Sequence, residues 1–233
     1  MSPDILIPIA VCGGLFGSFF ILIVAVCMWE KQPVQPFYFP KEGEEYPLLE
    51  IAAEANKEAA AIGYQYACLC HFGKTKMYRV RYDFWIAPDH STIATVSCGT
   101  VAKLPCKGIW LYSQSVDGRI FCTTNEIGEQ DISGVVEQTT WTNYRFEPLH
   151  QKHIQRLKEI AVDPFAPDKP LAGYFEIRKK KADQLVKMND ARFTDEDCLV
   201  WRYTLKGALK FYFISNWVRP LGRGLRSISL IKD

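Results

Sequence analysis

No lysine or arginine occurs before position 31, and no charged side chain lies between Ile5 and Trp29. The first absence removes the basic n-region that a cleaved signal peptide needs. A lipoprotein site is excluded too, because Val11 precedes Cys12 and Val26 precedes Cys27 where a small residue is required. None of the asparagines stands in an N-x-Ser/Thr sequon, which agrees with a domain kept away from the glycosylation machinery. G-x-S-x-G is missing, and with it the nucleophile elbow of the hydrolases. Gly73-Lys74-Thr75 ends like a phosphate-binding loop, but Cys68 stands where the earlier glycine belongs. There is no internal repeat and no low-complexity tract.

The most prominent feature present is the uncharged run itself. As a helix, the stretch Ile5–Trp29 would rise roughly 37 Å, enough to span a hydrocarbon core of ~30 Å. The expectation is an uncleaved single-pass membrane anchor. Lys31 and Lys41 on its C-terminal side place the following domain in the cytoplasm. Gly13 and Gly17, and Gly14 and Ser18, are four residues apart, a small-xxx-small spacing that would let two such helices form a homodimer.

Residues 1–4 form a short head, 5–29 the transmembrane helix and 30–46 a Pro-rich juxtamembrane tether. An α+β domain over 47–170 follows, then a basic helical region over 171–233. Pro47 and the Ala/Glu-rich residues through Ala61 predict a helix, stopped by Gly63. Tyr64 to Phe72 and Tyr78 to Ile86 then alternate apolar with polar side chains, the period of half-buried antiparallel strands. Further strands are expected near 92–103, 108–115, 119–125 and 133–142, with Asp117-Gly118 as a hairpin turn. Pro148 opens a helix carrying Leu149, Ile154, Leu157 and Ile160. The expected fold class is α+β: one transmembrane helix, then a domain with an antiparallel meander flanked by helices and a basic helical tail.

Charge is unevenly placed: residues 171–233 hold 13 basic and 7 acidic side chains, although the whole chain is only +2. Between Leu199 and Lys232 no acid occurs. Arg202, Lys206 and Lys210 are spaced to share one helix face, with Trp217, Arg219, Arg223 and Arg226 further on. A basic, aromatic-rich helix of this kind suits the surface of an anionic membrane. Membrane lipid and an unidentified protein partner are therefore the expected partners. Near-neutral charge and the lack of a recognition motif argue against nucleic acid.

Sharper chemistry is sparse. Cys68 and Cys70 share a strand face, and His150 and His153 are one helical turn apart, but neither pair completes a metal-ligand set. Simple register puts Cys98 and Cys122 on strands too far apart for a disulfide. Asp89-His90-Ser91 are adjacent turn residues and cannot form a catalytic relay. Arg79, Arg81 and Asp83 read as a solvated ladder. No cofactor is expected, and a non-enzymatic interaction domain is favoured. Two alternatives stand beside it: a membrane-bound enzyme, and a helix-grip-like pocket for a lipid or small apolar ligand. Tyr66, Tyr78, Tyr82, Phe84, Trp110 and Tyr112 would line such a pocket or fill a core.

Overall fold

The structure is a computed structural model. It describes residues 18, 20–22, 24–26, 28, 29, 31–41, 49–75, 78–101, 104–126, 131–141, 145–166 and 169–213. Among these, no helix is long and apolar enough to cross a membrane. That finding overturns the anchor expected over 5–29, and with it the single-pass membrane localisation and the membrane-tethered function. Val24 there is 6% exposed, covered by the protein itself, although Ile21, Leu22, Val26 and Trp29 are exposed. Residues 5–17 lie outside the described residues.

The chain divides into two compact units, Val34–Lys181 and Met1–Pro33 with Ala182–Asp233. In the second, β1 (Gln32–Pro33), β10 (Ala191–Phe193) and β11 (Val200–Tyr203) form an antiparallel sheet in the order β1-β11-β10, and α4 (Leu205–Phe213) follows it. The described part of the region expected to be a helical tail thus carries two strands, Ala191–Phe193 and Val200–Tyr203, between its helices. Gly207 allows α4 to touch the preceding loop, since a Cβ there would overlap the Asp190 carbonyl oxygen.

In the first unit, β2 (Phe37–Tyr38), β3 (Gln65–Thr75), β4 (Tyr78–Ile86), β5 (Ile93–Val101), β6 (Leu104–Ser115), β7 (Ile120–Thr124) and β8 (Val136–Thr140) lie side by side in that order. The pairing is antiparallel from β2 to β7, as the alternation predicts. Gly118, with φ of +86°, makes the β6–β7 turn, a conformation that glycine adopts without strain. β8 departs from a meander by running parallel to β7. The Asp131 carboxylate positions it, accepting the Ser133 hydroxyl and the Val136 N–H. A short β9 (Val162–Asp163) pairs with the end of β6.

Both faces of the sheet are covered. Against one lie α1 (Glu50–Ala61) and α2 (Phe146–Leu157), through Ala52, Ala55, Ala59, Phe146 and Leu149 on Trp85, Val96, Ile109 and Leu111. Alanine on α1 brings that helix close to the sheet. Against the other lies α3 (Pro170–Lys187), with Tyr174 and Ile177 on Phe84, Ile93, Trp110 and Ile120. Burying each such aromatic or branched side chain contributes about 1.5–3 kcal/mol. Of the residues expected to line an apolar pocket or fill a core, Phe84, Trp110 and Tyr112 are core, and Tyr82 packs against Phe37. Tyr66 is on the opposite face beside Trp85, and the Tyr78 side chain lies outside the described residues.

Candidate ligand-binding site

The Val34–Lys181 unit concentrates its polar chemistry beneath α2. That helix begins at Arg145, whose side chain does not cap it. The cap comes from α1: the Glu58 carboxylate accepts the Phe146 N–H at 2.7 Å and the Glu147 N–H at 3.2 Å, and pairs with Arg145 at 2.8 Å. Burial raises the Glu58 carboxyl, but Arg145 and the two N–H groups outweigh it and hold the group below its ordinary range.

So fixed, α2 points two histidines at the sheet. His153 is fully buried and closed. Its Nδ1 lies 2.8 Å from the Thr123 hydroxyl and its Nε2 lies 2.9 Å from the Ser113 hydroxyl. Burial, then the nearby Arg156 charge, pushes its pKa down to about 3, so the ring is neutral. Serine and histidine at this distance resemble a nucleophile and its base. Both are 0% exposed, however, and no substrate can reach them.

The chain of contacts continues in both directions. Arg156 donates to the Thr123 hydroxyl at 3.0 Å and to the Cys122 carbonyl at 2.7 Å. On the far side, Ser113 meets Thr92 at 2.9 Å, Thr92 meets Ser91 at 3.3 Å, and the Ser91 hydroxyl donates to Asp89 at 2.7 Å. One direction gives every hydroxyl hydrogen an acceptor: Thr123 to His153 Nδ1, His153 Nε2–H to Ser113, then Ser113 to Thr92, Thr92 to Ser91 and Ser91 to Asp89. A donor line thus runs from a guanidinium to a carboxylate through a neutral imidazole.

His150, one turn earlier, is open. Its Nδ1 is 3.0 Å from the buried Tyr64 hydroxyl, while Nε2 has no protein partner among the described residues. With its proton on Nδ1, His150 donates to the Tyr64 hydroxyl and Nε2 is left as an acceptor. Partial burial lowers the His150 pKa, against the opposing charges of Asp89 and Glu147. Asp89 remains ionised: burial raises its carboxyl, but hydrogen bonds from the Ser91 side chain and backbone more than offset that. The notch therefore combines an imidazole held by Tyr64 with two carboxylates whose charges oppose the effect of burial on it.

A groove of about 230 Å³ elsewhere in this unit, over Phe165 between β9 and the start of α3, offers less. Gln114 at its edge is already held by the Lys180 ammonium at 2.9 Å.

Among the described residues expected to bind membrane, Arg202, Lys206 and Lys210 do not lie on one helix. Arg202 is on strand β11, and only Lys206 and Lys210 are on α4. These two pair with Asp190, which is buried, at 2.9 and 2.8 Å. Burial would raise the Asp190 carboxyl, but the two ammonium groups overcome it and lower its pKa. Trp217, Arg219, Arg223 and Arg226 lie outside the described residues, as do Gly13, Gly14 and Gly17; Ser18 is exposed. The ladder reading of Arg81 and Asp83 also changes. Asp83 is buried and receives Arg81 through both Nε and Nη2, and Asn56 of α1 donates to it at 2.9 Å.

No protein-family model, curated protein or solved structure matches the chain.

Sequence reasoning paired His150 with His153 but missed Tyr64, Asp89, Ser113 and Thr123 as their partners. These come from four separate segments, and no spacing along the chain links them. The Asp-x-Ser spacing of Asp89 and Ser91 was a usable local signal, because Asp readily accepts the backbone N–H two residues on.

Proposed function

We propose that the Val34–Lys181 unit is a binding domain that receives a positively charged hydrogen-bond donor, an alkylammonium or a guanidinium, at His150. The observation that carries this reading is the difference between two histidines on one helix face. His153 has both nitrogens satisfied, whereas His150 has Nδ1 held by Tyr64 and Nε2 open. An oriented neutral imidazole accepts one N–H, and the Asp89 and Glu147 carboxylates complement the positive charge. An arginine or lysine side chain of a protein partner presents the same groups as a free amine.

Imidazole-selective 15N NMR of the full chain, titrated with methylguanidinium and with butylammonium, tests the proposal. Saturable shifts at His150 with His153 unmoved, lost in H150F and weakened in D89N, are expected. A His150 signal that does not respond to either cation, or a response retained in a folded H150F variant, overturns it. Equal saturation by acetate would mean that the notch selects anions instead, and would overturn it too.

A further inference from the structure

We propose that Cys68 and Cys70 form a dithiol that exchanges with a small-molecule disulfide and closes into a disulfide within strand β3. The two residues face Phe84 and Tyr82 of β4 in register, so their side chains project from the same face of the sheet. At two residues apart their Cα atoms are roughly 6.5 Å from each other, inside the range of about 4.4–6.8 Å that a disulfide bridges.

Strand β3 has freedom to adjust. Among the described residues, β2 pairs only with Phe72 and His71, so the outer edge from Gln65 to Cys70 carries no partner strand. The register also shifts between Tyr66 and Cys68, a bulge immediately before the pair.

The pair is asymmetric in the way exchange requires. Cys68 is half-buried, whereas Cys70 is 1% exposed. The neighbouring Cys70 thiol lowers the Cys68 pKa, and the Cys68 thiol together with burial raises that of Cys70. Cys68 is thus the attacking thiolate and Cys70 the resolving thiol. The Cys68 sulfur attacks one sulfur of the external disulfide, breaking its S–S bond and releasing one thiolate, which takes up a proton. Cys70 then gives its proton to water, and its sulfur attacks that of Cys68 and expels the second thiolate. Two cysteine thiols are oxidised by two electrons, and one external disulfide is reduced to two thiols.

Of the other thiols of this unit, Cys106 on β6 is half-buried and burial pushes its pKa up to about 11, which disfavours its thiolate. Cys98 packs under α1 and α2 and Cys122 under α3, on opposite faces of the sheet.

The full chain is equilibrated in glutathione buffers of increasing oxidised-to-reduced ratio, quenched with an alkylating agent, and mapped by peptide mass. Cys68 and Cys70 are expected to lose alkylation together and to appear as one bridged peptide, with Cys98 and Cys122 alkylated after denaturation. In C70S, Cys68 stops as a glutathione mixed disulfide; in C68S, Cys70 gains no adduct. Free Cys68 or Cys70 at the oxidising limit, or a bridge from Cys68 to another cysteine, overturns the proposal. A Cys70 adduct in C68S overturns the assigned order of attack.

Discussion

Glu58 caps the helix that begins at Phe146, accepting its backbone N–H at 2.7 Å across 88 residues of sequence. The helix has no side-chain cap of its own. One carboxylate on α1 therefore holds the N-terminus of the helix that carries both histidines. Glu58→Ala should destabilise the fold by about 1 kcal/mol, the usual value of an N-cap, read as a lower denaturation midpoint. Because the folded pKa is depressed, this contribution is complete above the ordinary carboxyl value. It disappears as pH falls through the folded one. A Glu58→Ala difference that persists at strongly acidic pH would contradict the capping role.

Arg81→Met leaves the buried Asp83 carboxylate without its bidentate partner. The expected cost is about 3–5 kcal/mol, the range for breaking a buried pair from one side. Adding Asp83→Asn should recover much of it, because the residual charge is then gone. A double-mutant cycle by urea denaturation measures both; an unrecovered double variant would show that Arg81 acts through packing alone.

Stability should fall between pH 6.5 and about 3 for a second reason. The unfolded chain binds a proton at His153 with its ordinary pKa, while the folded chain resists protonation until about 3. In that window the unfolded state holds more protons, so unfolding becomes easier as pH falls. His153→Gln removes this titration. Its unfolding free energy should be lower at neutral pH and flatter with pH than that of the parent, and parallel profiles would refute the assignment.

The hydroxyl chain specifies the tautomer of His153, and the proposed acceptor role specifies that of His150. His153 should carry its proton on Nε2 and His150 on Nδ1, a contrast that 15N imidazole shifts read directly. Thr123→Val removes the hydroxyl that donates to His153 Nδ1. It should change the His153 shifts while leaving those of His150 in place. A His153 proton found on Nδ1 would break the line from Arg156 to Asp89.

The strands from β3 to β7 were legible because Tyr66 to Phe72 and Tyr78 to Ile86 alternate over a length that only a half-buried sheet explains. β8 was found, but its direction was not. Val136–Thr140 lacks strong alternation, and its parallel placement follows from the Asp131 loop. Arg202, Lys206 and Lys210 show the opposite failure. Their i, i+4, i+8 spacing is helical arithmetic, yet Arg202 sits on a strand paired to β10 and β1. A spacing rule holds only within one element, and Thr204 separates the two elements here. The hydrophobicity of Ile5–Trp29 likewise established composition without establishing a span. At the candidate site, the helical pair was readable and its partners were not. Hydroxyls on four segments become one chain only after the sheet has aligned them.

The parallel β7–β8 pair has a consequence for how this chain folds. Strands β3 to β7 each join their neighbour in sequence, so each closure links nearby residues and loses little chain entropy. β8 instead returns through residues 125–135 to lie beside β7 in the same direction, the slower kind of closure. Until it arrives, β7, whose five residues are all buried in the finished fold, carries an open edge. That interval is when a newly made chain is most exposed to pairing with another copy of itself.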